Sequence, residues 1–309
     1  MRAPAKLVPA IVTFLLMSPV AATALECGDV DANGVVAASD ALMVLKTAVG
    51  EATSMTCEQA QTTGDLQARV TQLEALLAHF TVEGNNLVLS GMNLQIINGE
   101  GSTDTVNGLG NLIVGYDETD VNKHNDPVDE KTGSHNLIIG AEHTYTSFGA
   151  IVAGEDNESD APGASVLGGN SNTASGQNAV VVSGVDNEAS GDDSAVLSGR
   201  DNITDGEETA IAAGQFNRAF VLNSFVGGGV SNFARGFASS VTGGEHNSAD
   251  FERSSVTGGR YNVANAPVST VSGGAFNTAD GFAATVSGGT NRSIDGQGSW
   301  RGGLLFSAQ

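Results

Sequence analysis

The chain has 309 residues, with 35 acidic against 13 basic side chains and a formal charge of −22. That balance argues against a partner built on a phosphate backbone and predicts repulsion from anionic surfaces. With 41 glycines, 5% aromatics and 16% charged residues, the chain is too poor in large side chains for one ordinary core and too apolar for a disordered polyelectrolyte, so a repetitive fold of small residues is expected.

Residues 1–24 read as a signal peptide. Arg2 and Lys6 supply positive charge, Leu7 to Val20 are mostly apolar, and Ala22-Thr23-Ala24 offers small residues to a peptidase. The apolar stretch is short and interrupted by Pro9 and Pro19, which favours an export signal over an anchor. Cleavage after Ala24 removes two basic residues and no acid, and the mature chain is expected to be secreted or held at the cell surface with no membrane span.

Residues 25–60 form the next expected unit. Asp29-Val-Asp-Ala-Asn-Gly-Val-Val-Ala-Ala-Ser-Asp40 fits the twelve-residue calcium loop, with acid or amide at positions 1, 3 and 5, glycine at 6 and acid at 12. Asp29, Asp31, Asn33 and Asp40 would offer side-chain oxygens and Val35 its carbonyl, a hard oxygen cage for Ca2+; Gly34 permits the sharp turn. Aspartate at the last position predicts weak affinity, on the order of 10⁻⁴ to 10⁻³ M. A helix is predicted over 41–49, capped by Ser39 or Asp40 and ended by Gly50. The run from Cys27-Gly28-Asp29 through Asp40-Ala41-Leu42 to Gly50 resembles one repeat of a dockerin, a loop-helix calcium module that docks enzymes onto cohesin scaffolds. Cys27 and Cys57 bracket the unit, and in an exported protein they are expected to form a disulfide. Closing that loop of about 30 residues would contribute about 3.5 kcal/mol on the chain-entropy account.

Over residues 61–82, Leu66, Val70, Leu73, Leu77 and Phe80 follow a 4, 3, 4, 3 spacing that places them on one heptad seam. A short coiled coil joining several chains is the expectation. An amphipathic helix packed on its neighbour is the other reading, since the seam spans only about two heptads. Residues 83–148 read as an irregular β start, with a polar insertion over 117–133 that should project as a loop.

From 149 to 309 the sequence repeats every 15 residues, and this decides the fold class: mainly β, a parallel β-roll or β-solenoid. Glycine recurs from Gly154 to Gly289, asparagine three residues later from Asn157 to Asn277, and an aliphatic residue three before each glycine from Ile151 to Val286. A β-branched residue, then glycine, then asparagine describes a short strand, a tight turn, and a residue suited to left-handed backbone or to laddering with its equivalents. Asn111 to Gly115 and Asn136 to Gly140 look like two earlier copies. Coils stacked about 4.8 Å apart bury about one Val and one Ala each, which favours several chains sharing a core.

The runs Ser240-Val241-Thr242-Gly243-Gly244, Ser255-Val256-Thr257-Gly258-Gly259 and Thr270-Val271-Ser272-Gly273-Gly274 are similar to the head repeats of YadA-like trimeric autotransporter adhesins. The resemblance implies a homotrimeric left-handed β-roll that serves adhesion, with a host, matrix or carbohydrate ligand. No HExxH, GxSxG, Walker loop or GxGxxG is present in the sequence. His79, His124, His135, His143 and His246 are scattered, with His135 and His143 near the insertion the nearest approach to a site. The expectation is a non-enzymatic adhesive or structural protein that binds calcium. A dockerin-like component carrying a passive solenoid into a polysaccharide-processing complex is the alternative.

Overall fold

The computed structural model describes residues 38–50, 63–119 and 129–302. They fall into two units that divide between Gln95 and Ile96. In the first, helix α1 spans Ala38–Ala48 and α2 spans Thr63–Leu77. Strand β1 (Phe80–Glu83) then pairs antiparallel with β2 (Asn86–Leu89). Gly84 leads the two-residue turn between them at φ 63°, a conformation that costs glycine least and suits a tight hairpin. Phe80, expected on the helical seam, instead opens β1: the helix has already ended at Leu77. The hairpin's ladder claims Phe80, because its backbone pairs with Leu89. Leu66, Leu73 and Leu77 are each about half exposed, and Val70 is partly buried.

The second unit is a parallel β-solenoid of 15-residue coils, each contributing one short strand to each of two sheets. Sheet I has 13 strands, from Leu112–Val114 and Leu137–Ala141 through Ile151–Glu155 to Trp300–Arg301. Sheet II has 11, from Thr144–Tyr145 to Ser293–Ile294. Each strand pairs in register with its equivalent one coil away, so Val241 lies beside Val226 and Val256, and Ala249 beside Ala234 and Ala264. The copies at Asn111 and Asn136 do open sheet I, pairing Ile113 with Ile138.

Each coil turns a small set of side chains inward. The sheet I aliphatic and the sheet II alanine are fully buried, as in Val256 and Ala264. A third inward position carries Ala179, Ser194, Thr209, Ser224, Ser239, Ser254, Ser269 and Ala284. The fourth is the asparagine. Its role is settled as a ladder: the Asn232 N–H donates to Asn217 Oδ1 at 3.0 Å, and Asn232 Oδ1 accepts the Asn247 N–H at 3.0 Å. Asn232 Nδ2 also donates to the carbonyls of Gly228 and Gly244 at 2.8 and 2.9 Å. The left-handed backbone belongs to the preceding residue, for example Ser231 at φ 54° and Tyr261 at φ 54°. Buried backbone groups at the coil corner therefore find partners in a side chain that repeats with the coil.

The recurring glycine is a steric requirement. Gly229 sits at φ 88°, and a Cβ there would meet the Gly244 carbonyl oxygen at 2.1 Å and Asn232 Nδ2 at 2.6 Å. Coil stacking leaves no room for a side chain, which is why the position holds its identity through ten coils while its neighbours vary.

The two ends of the ladder differ from its middle. At the start, His143 is fully buried in the slot that asparagine takes later. Its Nδ1 accepts the Asn157 N–H at 3.2 Å, and Nε2 lies 3.1 Å from the Ile139 carbonyl. At the far end Arg292 replaces asparagine: its N–H donates to Asn277 Oδ1 at 3.0 Å, but it has no side-chain acceptor to offer a following coil.

Candidate functional site

Three features of the solenoid carry chemistry on its surface or at its mouth. The first lies at the base of the polar insertion. Lys131 Nζ donates to the Asp117 carbonyl at 2.5 Å, to Asp117 Oδ1 at 3.0 Å and to the Glu118 carbonyl at 2.7 Å, so all three ammonium donors are committed. The Tyr145 hydroxyl donates to Asp117 Oδ2 at 3.0 Å. Burial, followed by this hydrogen bond to a carboxylate, pushes the phenol well above its ordinary range. His143 is moved the other way, below its usual value, chiefly because burial penalises the imidazolium. His135 is elsewhere engaged: Nε2 accepts the Asn98 N–H at 3.2 Å, and Nδ1 lies 3.0 Å from the Thr103 carbonyl. The two histidines expected to approach a site are thus both spent on backbone groups. The arrangement clamps the two ends of the insertion together.

The second feature is the outer face of sheet I. Val114, Ile139, Ile151, Leu167, Val182 and Leu197 form an exposed aliphatic strip over the first coils. Further along, the same two columns carry hydroxyls: Ser240 with Thr242, Ser255 with Thr257, Thr270 with Ser272 and Thr285 with Ser287.

The third lies over the outer side of sheet II, where the later coils carry aromatic and arginine side chains. In the column of left-handed residues, His246, Tyr261 and Phe276 stack face to face at 4.7 and 5.0 Å. Nearby, Arg235 lies 4.2 Å over the Phe233 ring while bonding Asp250 at 3.1 Å. Over the preceding coils lies a groove of about 450 Å³ lined by Asp186, Asp201, Ile203, Phe216, Arg218, Ser231 and Phe233. Composition hinted at none of this, because these residues hold variable positions of the repeat. The signal lay in the register: residues 15 apart share a column, and Asp186, Asp201, Phe216 and Ser231 are such a set.

Of the calcium loop, Asp29, Asp31, Asn33 and Val35 lie outside the described residues, as do Cys27 and Cys57. Asp40 lies within α1, where a helix was expected from residue 41. Among the described residues no cluster of three or more His, Cys, Asp or Glu side chains could hold a metal ion. No helix among them is long and apolar enough to cross a membrane. No protein-family model matches the chain, and no curated protein matches it.

Proposed function

We propose that the chain is a secreted or surface-associated, non-enzymatic fibre protein, in which three copies associate through the helical seam and sheet I to present an adhesive β-solenoid. The carrying observation is the aliphatic strip on sheet I. Parallel sheets are ordinarily covered on both faces, and here one face packs into the core while the other leaves Leu167, Val182 and Leu197 exposed. A contiguous apolar patch of this kind marks an interaction surface. The half-exposed leucines of α2 support the same reading. The narrow interior of each coil adds to it, since one Val, one Ala and two small polar side chains bury little apolar area against the entropy of ordering 15 residues. In this reading calcium folds the module over 25–60 and the disulfide between Cys27 and Cys57 closes it. The basal clamp of Lys131, Asp117 and Tyr145 supports a structural role for the polar cluster, since its donors are consumed within the fold.

The test is the solution mass of the chain from Leu25 onward, measured by light scattering with calcium and again with chelator. Three chain masses in both conditions are expected. A monomer would remove the trimeric reading and leave the docking alternative, to be tested as calcium-dependent binding of the 25–60 segment to a cohesin.

A further inference from the structure

We propose that the groove on sheet II is a saccharide-binding site that takes a neutral pyranose unit, with the Phe216 ring as its stacking platform. The proposal rests on the adhesive reading above and supplies its ligand class.

The aromatic side chains over sheet II differ in how many of their faces are free. Tyr261 is sandwiched between His246 and Phe276, so Tyr261 has both ring faces taken and each of its two neighbours has one taken within the column. Phe233 is likewise covered, by Arg235 at 4.2 Å and by Phe220 at a ring separation of 6.5 Å. Phe216 differs. It is 49% exposed, its column neighbours one coil away are Asp201 and Ser231 rather than rings, and it makes no ring contact among the described residues. A flat apolar face flanked by a carboxylate and a hydroxyl is the surface that a pyranose recognises: its axial C–H groups lie on the ring, and its equatorial hydroxyls reach the polar groups beside it.

The polar groups are suitably placed and uncommitted. Asp186, Asp201 and Arg218 all line the groove, and none of the three side chains has a hydrogen bond or ion pair among the described residues. Carboxylates and a guanidinium together accept from and donate to vicinal hydroxyls, so both polarities of a sugar diol find partners. Two carboxylates against one guanidinium leave the groove with a net negative charge, which disfavours an acidic sugar.

The walls are held in advance. Arg235 is fixed by Asp250 at 3.1 Å and by Ser248 at 2.6 Å, and it braces Phe233 from above. Phe216 stands on backbone pinned by its N–H donating to the Arg200 carbonyl at 3.1 Å. Little ordering is required on binding, which favours affinity in a shallow site.

The experiment uses the chain from Leu25 onward with soluble oligosaccharides of glucose, xylose, mannose and N-acetylglucosamine, and oligogalacturonate as the anionic comparator. Binding is read by saturation-transfer NMR and titration calorimetry. At least one neutral oligosaccharide is expected to bind at millimolar concentration or below. Phe216→Asn, chosen because asparagine tolerates the φ of 57° at this position, should weaken it by about tenfold or more, whereas Phe276→Asn should change it by less than about twofold. Unchanged melting curves establish that both variants fold. Silence from every neutral oligosaccharide, preference for oligogalacturonate, or equal loss in both variants would each overturn the site. Light scattering on the same sample separates the two proposals: a trimer without saccharide binding refutes the groove alone, and a monomer that binds refutes the fibre alone.

Discussion

Replacing Asn232 by alanine tests whether the ladder holds the coils together. In the native chain Asn232 is fully buried and makes five hydrogen bonds, two through Nδ2, one through Oδ1, one through its own N–H and one through its carbonyl, which accepts the Arg218 N–H. Alanine keeps the backbone N–H but leaves the Asn247 N–H and the Gly228 carbonyl without partners. The Gly244 carbonyl fares better, because the Val230 N–H also donates to it at 2.9 Å. Two orphaned buried groups at about 1 to 3 kcal/mol each predict a loss of about 4 kcal/mol, with no compensation from the small void left behind. Urea denaturation followed by circular dichroism should show the midpoint falling by about 2 M, taking a slope of about 2 kcal/mol/M. Asn232→Asp sharpens the test. It preserves the acceptor for the Asn247 N–H but turns a carboxylate oxygen toward two carbonyls, so it should be worse than alanine at neutral pH and recover in mild acid, when protonation restores one donor. A loss under about 1 kcal/mol for Asn232→Ala would refute the claim that the ladder is a major source of coil-to-coil cohesion.

Gly229→Ala should destabilise by about 3 kcal/mol or more, since it combines left-handed backbone with a Cβ driven into the Gly244 carbonyl; thermal melting of the variant checks this. His143 predicts a pH dependence whose sign follows from its lowered pKa. The unfolded chain takes up the proton near the ordinary value of about 6.5 and the folded chain only at lower pH, so the stabilisation is complete above about 6.5 and declines as pH falls below it. His143→Asn, which places the ladder residue in the same slot, should flatten that decline in denaturant midpoints measured across the range. Calcium removal should melt the segment over 25–60 without altering the circular dichroism of the solenoid. Loss of the β signal on chelation would mean that the ion supports the coils as well.

The 15-residue period determined the solenoid, because a unit that returns every coil to the same place must put equivalent residues in one column. The buried aliphatic from Val166 to Val286 and the buried alanine from Ala174 to Ala279, replaced in one coil by Thr204, were legible for the same reason: inward positions tolerate few substitutions, so they repeat visibly in a single chain. Even the alternative roles open to asparagine were bounded by its regular recurrence. What the period alone left undecided was which residue of each turn takes the left-handed backbone and which bonds across coils. Stacking decided that, since only the asparagine side chain reaches the carbonyls of its own coil and the next. The groove was beyond sequence reasoning for a different reason. Asp201, Phe216 and Arg218 occupy variable outward positions, where no packing constraint produces a pattern, and they become neighbours only when consecutive coils are laid side by side. Phe80 shows the same limit from the other direction: its spacing fitted a heptad, but pairing with Leu89 carried it into a strand. Periodicity records what is repeated for burial, whereas chemistry at a surface arises from what differs between repeats, and only the folded register brings those differences together.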